Sequence, residues 1–204
     1  MNDNVQGRTT SLLVDILVAC AFASFLYRHI VSFIGTGRIL FVVVVIFQVI
    51  TICMFLFRNR KDVIISRDPY HYFVAFVGTS LVLFLQPAPY GDSLISDAFV
   101  FFGVLIQIGG LVSLNRSFGI VPANRTIKQK GLYAVVRHPM YSGYILMVFG
   151  YVLSNMNFYN AIISLLATGF FVLRIYAEEE ILMKDETYKK YSTRVPWRLI
   201  PFVF

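Results

Sequence analysis

Gly131-Leu-Tyr-Ala-Val-Val-Arg-His-Pro-Met-Tyr-Ser-Gly143 is a polar, turn-forming stretch set between apolar runs long enough to cross a bilayer, and its reading decides the fold. Pro139 has no N–H and a φ already at a helical value, so it suits the first position of a helix and holds His138 in an extended conformation. A helix is therefore expected to run on from Met140. Its start would leave the N–H groups of Met140, Tyr141 and Ser142 unpaired, beside the positive end of the helix dipole and the Arg137 guanidinium. Such a start suits an anionic group, which makes this stretch a candidate ligand site at a membrane edge.

Outward from this stretch the chain is apolar. Of its 204 residues 57% are hydrophobic and 14% charged, with a mean hydropathy of +0.70, too little charge for a soluble domain. An integral, multi-pass membrane protein is expected. Six apolar segments stand out: Leu12 to Tyr27, Ile39 to Phe57, Tyr72 to Leu85, Leu94 to Leu114, Met140 to Leu153 and Phe158 to Ile175. A spanning helix needs about 20 residues. The second, fourth and sixth meet this, the third and fifth are short, and the first suffices if it extends to Ile34. These runs predict an all-α, polytopic bundle of five or six transmembrane helices. The first run is preceded only by Arg8 and has no small-x-small cleavage site, so it reads as retained.

The net charge of +7 could point to nucleic acid, but the bases cluster in loops between apolar runs, where cytoplasmic retention explains them. Nucleic-acid binding is therefore not expected. Arg58, Arg60, Lys61 and Arg67 follow the second run; Arg116, Arg125, Lys128, Lys130 and Arg137 follow the fourth; Lys184, Lys189, Lys190, Arg194 and Arg198 fill the tail. These three regions are assigned to the cytoplasmic side. The opposite connections hold only Arg28 and Arg38. The fifth and sixth runs are joined by Ser154 to Asn157 alone, so they should form an antiparallel hairpin that returns Arg137 and His138 beside Arg174 to Glu180.

Within or near the spans, Asp15, Gln48 and Gln107 are polar, open to a functional role or to hydrogen bonding between helices. His29 and His71 sit near span ends, where an amphipathic ring suits the interface. Gly109-Gly110 reads as a close helix contact. Cys20 and Cys53 lie in apolar runs and read as small core residues, without a disulfide framework. No His, Asp, Glu or Cys cluster has metal-ligand spacing, and no metal is expected.

The second informative stretch is Arg174-Ile-Tyr-Ala-Glu178-Glu179-Glu180-Ile-Leu182. Arg174 and Glu178 are four apart and could be an ordinary helical ion pair. Three successive Glu at a helix end are unfavourable unless the helix continues or a cationic partner binds. A ligand carrying both charges would satisfy both stretches, and an amino-acid zwitterion or S-adenosylmethionine fits.

Gly131-x-Tyr133-x-x-Val136-Arg137-His138-Pro139-x-Tyr141-x-Gly143, then Arg174-x-x-x-Glu178-Glu179-x-x-Leu182, Tyr188-x-x-Tyr191 and Arg198-x-Ile200-Pro201, resembles the C-terminal signature of the isoprenylcysteine carboxyl methyltransferase family and the related phospholipid methyltransferases. The likeness covers roughly residues 111–201. It implies a membrane methyltransferase using S-adenosylmethionine, with a cytoplasmic cofactor pocket formed by the C-terminal half and a lipid or prenylated substrate entering from the bilayer. On this resemblance residues 71–204 form the methyltransferase core behind N-terminal transmembrane helices in 1–70. Tyr133, Val136, Arg137, His138 and Tyr141 would line the cofactor pocket, Glu178 and Glu179 would meet its amino or ribose groups, and Arg174 would face the methyl acceptor, making Arg174 and Glu178 the catalytic candidates. Leu182-Met-Lys-Asp-Glu-Thr-Tyr188 is shorter than the family pattern and lacks its Phe-Gly pair.

The activity implied is carboxyl O-methylation of an isoprenylcysteine-type acceptor. Methyl transfer from a sulfonium to an anionic acceptor needs alignment and exclusion of water more than proton transfer. An Arg fork would orient a carboxylate, whereas an amine acceptor would need a base, with Glu178 or His138 nearest. An N- or S-methyltransferase of phospholipids or small amphiphiles, a sterol-type membrane reductase and a non-catalytic scaffold are the alternatives.

Overall fold

In the computed structural model, the residues described are 20–56, 64–66, 68–88, 93–114, 123–124 and 127–204. Asp15, Arg58, Arg60, Lys61, Arg67, Arg116 and Arg125, singled out above, lie outside them. Seven α-helices are present among the described residues: α1 over residues 20–36, α2 Ile39–Leu56, α3 Pro69–Leu81, α4 Leu94–Leu114, α5 Pro139–Ser154, α6 Phe158–Leu182 and α7 Glu186–Arg194. Single 3₁₀ turns cover Val82–Phe84 and Gly131–Ala134. The all-α expectation holds.

Local chemistry explains the helix starts. Pro69 and Pro139 occupy first-turn positions, where the missing N–H costs nothing. Asp68, Asn157 and Asp185 cap α3, α6 and α7 by accepting from Tyr70, Asn160 and Thr187 N–H at 2.8, 2.8 and 2.7 Å. α6 runs seven residues beyond Ile175, so the triple Glu stays helical. That continuation is one of the two conditions under which three Glu there are tolerated.

Among the described residues, α4 and α6 are long and apolar enough to cross a membrane, while Ile39–Cys53, Pro69–Phe84 and Pro139–Ser154 are shorter apolar helices. The surface is inverted relative to a soluble protein. Phe73, Phe76, Phe102, Phe158 and Leu165 are exposed, whereas His29, Arg38, Gln107 and Asn160 are buried. An outward apolar belt of this kind marks association with a membrane. Cys20 and Cys53 follow the same inversion: both are free thiols on exposed helix faces rather than core residues.

α4 and α5 form the closest pair, with α3 packed on α6 and α2 on α4. The contact is made by small residues: a Cβ on Gly143 would stand 2.6 Å from the Gly103 carbonyl oxygen and 2.9 Å from Gln107 N, and one on Gly103 would stand 2.6 Å from Met147 N. Gly110 leaves room for Met140 in the same way, and Gly109 for Leu132, as the double glycine led us to expect. Gln107 stitches the pair, its Nε2 reaching the Gly103 carbonyl at 3.3 Å and Met147 Sδ at 3.5 Å. Gly143→Ala, which forces backbone apart, should destabilise the protein by about 1–3 kcal/mol, read as a lower melting midpoint in detergent; an unchanged midpoint would mean the two helices separate freely.

The connections segregate to two ends. At one end Ile64–Ile65 pairs antiparallel with Ala123–Asn124, Tyr191 donates to the Tyr133 carbonyl at 2.6 Å and Arg194 to Gln129 Oε1 at 2.6 Å. The described parts of the connections after α2 and α4 and of the tail thus share one end. At the other, Arg38 donates to the Ala88 carbonyl at 3.0 Å, to Asn155 Oδ1 at 3.4 Å and to Ser154 Oγ, while Asn160 bridges the Gln86 and Asn155 carbonyls, both at 2.8 Å. Arg28 donates to the Leu83 carbonyl. The lone bases of this end are therefore tied into the packing. His29 is buried too, against the Phe25 carbonyl at 2.8 Å and the Tyr151 hydroxyl at 2.9 Å, and His71 meets Ser66 Oγ at 2.7 Å and Glu180 at 3.3 Å. Both rings are thus buried and hydrogen-bonded within the packing.

Candidate active site

The α5–α6 hairpin, closed through residues 155–157, returns the start of α5 to the end of α6. The centre of the resulting cluster is Glu179, 4% exposed. Its Oε1 accepts from His138 Nε2 at 3.1 Å and Tyr188 Oη at 3.4 Å, and its Oε2 from Arg198 Nε at 2.8 Å. Arg137 Nε adds an ion pair to Oε1 at 3.2 Å, off hydrogen-bond alignment. One carboxylate thereby joins the α5 entry, α6, α7 and the tail. A buried charge is tolerated when it is compensated this fully.

Glu178, one residue earlier, stands differently. Its side chain is 22% exposed, 3.8 Å from His138 Nδ1 through Oε2, and its Oε1 accepts from the Tyr141 hydroxyl. It keeps lone pairs for another partner. Of the three buried tyrosines near the pair of Glu, Tyr188 donates to Glu179 and Tyr191 to the Tyr133 carbonyl. Burial first, then the neighbouring Glu178, pushes the Tyr133 phenol far above its usual range; burial, then Glu179, does so for Tyr188; burial pushes Tyr191 up to about 12.

The tail closes over the helix start. Arg137 N–H donates to the Trp197 carbonyl and His138 N–H to the Arg198 carbonyl, both at 2.9 Å, while Tyr141 and Ser142 N–H turn back to the His138 carbonyl at 3.1 and 3.2 Å. Ser142 Oγ fastens the Leu199 carbonyl at 2.7 Å. The expected row of unpaired N–H groups is therefore corrected: Tyr141 and Ser142 N–H bond the His138 carbonyl within the first turn, and the tail carbonyls take the Arg137 and His138 N–H groups and the Ser142 hydroxyl instead.

Arg174 lies about one turn before the Glu pair on α6 but does not pair with Glu178 as a simple helical neighbour would. Its Nη1 donates to Thr79 Oγ1 at 2.8 Å and its guanidinium lies 5.3 Å over the Tyr141 ring. Gly78 makes room, since a Cβ there would meet Arg174 Cδ at 2.9 Å. Arg174 also lines a small, partly open apolar cavity between α1, α2, α3, α5 and α6, walled mainly by Phe25, Val44, Phe47, Tyr144 and Phe171, with Gln48, Thr51 and Thr79 as its other polar residues.

All of the site residues named from the sequence, Tyr133, Arg137, His138, Tyr141, Glu178 and Glu179, thus meet at one end of the hairpin, with Val136 buried in the same connection and Arg174 linked through the Tyr141 ring. Sequence reasoning missed Arg198 as a Glu179 partner and Tyr188 as its donor. It also missed α7, although Asp185-Glu186 followed by Tyr188 and Tyr191 three apart is a cap and a one-faced turn.

Residues 94–191 match the phospholipid methyltransferase family. The segment from α4 into α7 therefore carries that family's pattern. The chain is also 30% identical over 106 residues to the protein-S-isoprenylcysteine O-methyltransferase of Schizosaccharomyces pombe, a stretch that covers 48% of this chain and 45% of that relative. The chain thus spans about half the length of the curated relative it matches. The two matches support the methyltransferase family resembled by the motifs, and both names are those of methyltransferases.

Proposed function

We propose that this chain is an integral membrane methyltransferase that moves a methyl group from S-adenosylmethionine to the carboxylate of a lipid-like acceptor of the isoprenylcysteine type. The observation that carries the reading is the junction at Arg174: one guanidinium lines an apolar cavity and lies over Tyr141, whose hydroxyl bonds Glu178. An acceptor tail in the cavity and a methyl donor beside Glu178 would meet at that junction. Residues 71–204 hold the donor, and α1 and α2 close the acceptor chamber. The spans number five or six, with the base-rich end cytoplasmic.

The donor set suits the cofactor. Glu178, partly exposed and still an open acceptor, fits an ammonium or ribose hydroxyls; Tyr133, Tyr141 and Tyr188 offer ring faces; Arg137 and Arg198 supply positive charge for a carboxylate. The bound cofactor supplies an electrophilic sulfonium methyl. A carboxylate acceptor is already deprotonated, so these residues would have no proton to move and would need only to align the two reactants. Arg174 orients the carboxylate through its planar fork, and the Phe-lined walls exclude water. Tyr141, neutral and bonded to Glu178, holds the boundary between the two reactants.

Arg174 at the polar end of the cavity also weighs against an ammonium acceptor, which it would repel. Incubation of the detergent-solubilised protein with methyl-labelled cofactor and lipid extract should give label released by mild alkali, as an ester is. Alkali-stable label would transfer the reading to N-methylation.

A further inference from the structure

Resting on the carboxyl methyltransferase reading above, we infer that Gln48 sets acceptor specificity by donating a hydrogen bond to an uncharged oxygen that the acceptor carries near its carboxylate. Gln48 is 6% exposed and lines the cavity that Arg174 also lines. Its Nε2 has no hydrogen-bond partner. The hydroxyls of the lining are engaged: Thr51 Oγ1 donates to the Phe47 carbonyl at 3.0 Å, and Thr79 Oγ1 donates to the Ala75 carbonyl at 2.8 Å while accepting from Arg174 Nη1. Gln107, equally buried on α4, has its Nε2 on the Gly103 carbonyl. In the sequence the two glutamines are alike, yet the amide nitrogen of Gln107 has partners on α4 and α5 while that of Gln48, on the cavity lining, has none.

An unmet buried N–H is costly, and a ligand oxygen placed on it recovers that cost. Sites built to hydrogen-bond a ligand group reject the analogue lacking it far more strongly than sites that read a methylene. The acceptor class that fits is an amphiphilic carboxylic acid with an apolar tail and a second, neutral oxygen such as an amide carbonyl or hydroxyl close to the head. The carboxylate belongs to Arg174 and the neutral oxygen to Gln48.

The test uses two synthetic acids with the same prenyl tail, one carrying an amide carbonyl beside the carboxylate and one a methylene in its place. The full-length protein should methylate the amide acid with a kcat/KM at least about tenfold higher. In Gln48→Leu the preference should fall to within about twofold, through KM for the amide acid, with affinity for S-adenosylhomocysteine unchanged. Gln48→Glu, which places a carboxylate near the acceptor's own, should raise KM for both acids. Equal use of the two acids by the unaltered protein, or a preference that survives in Gln48→Leu, would overturn the assignment of Gln48 while leaving the methyltransferase reading standing. Methylation of neither acid, together with no binding of S-adenosylhomocysteine, would overturn that reading and this inference with it. A purely structural role for Gln48 would shift both acids alike in Gln48→Leu, and that result too would refute the assignment.

Discussion

Arg174→Lys is expected to bind S-adenosylhomocysteine as the unaltered protein does and to lose about 100-fold in turnover, since a small misplacement of a reactant is enough for that. Lysine keeps the charge but offers a point in place of a fork. It also gives up the plane that lies over Tyr141 and the bond from Nη1 to Thr79. Gly78 has been shaped to the Arg174 stem, so a shorter head group would also sit off its mark. Single-turnover measurement with labelled cofactor separates this from slow product release. Normal turnover in Arg174→Lys would remove Arg174 from the acceptor site.

Glu179→Gln should act on the fold before it acts on chemistry. Arg137, His138 and Arg198 would surround a neutral amide in a site that water scarcely reaches, and breaking a buried pair in this way costs about 3–5 kcal/mol. The effect should concentrate in α7 and residues 195–204, because Tyr188 and Arg198 reach the rest of the cluster through this carboxylate. A lower melting midpoint and faster proteolysis of the tail are the expected readouts. Glu180→Gln is the control: its side chain is 62% exposed and reaches His71 at 3.3 Å, so its loss should stay within about 0.5 kcal/mol. Equal stability of Glu179→Gln and Glu180→Gln would mean that the cluster is held by something else.

Much of the fold was legible because hydrocarbon-facing helices announce themselves. The apolar runs from Ile39, Leu94 and Phe158 became α2, α4 and α6, and Pro139 marked the start of α5 through its own covalent geometry. The meeting of Arg137-His138 with Glu178-Glu179 followed from a hairpin connection too short to do otherwise. What stayed hidden depends on contacts between residues far apart in the chain. Nothing local in Trp197-Arg198 says that their carbonyls will accept from Arg137 and His138. Nothing local distinguishes Glu179, fully engaged, from Glu178, partly open, although the two are adjacent and chemically identical. The apolar chamber needs Phe25 of α1, Phe47 of α2 and Phe171 of α6 side by side, a convergence that no single amphipathic pattern encodes. The same limit applies to Gln48 and Gln107, whose different fates depend on which helix faces each amide.

The path from the Arg174-lined cavity through Tyr141 to Glu178 serves methyl transfer only if a methyl donor binds on the Glu178 side. Calorimetric titration of the detergent-solubilised protein with S-adenosylhomocysteine tests this most directly. Saturable binding at one site per chain, retained in Arg174→Lys, is predicted. No heat of binding by a folded protein, or binding lost equally in Arg174→Lys, would contradict it.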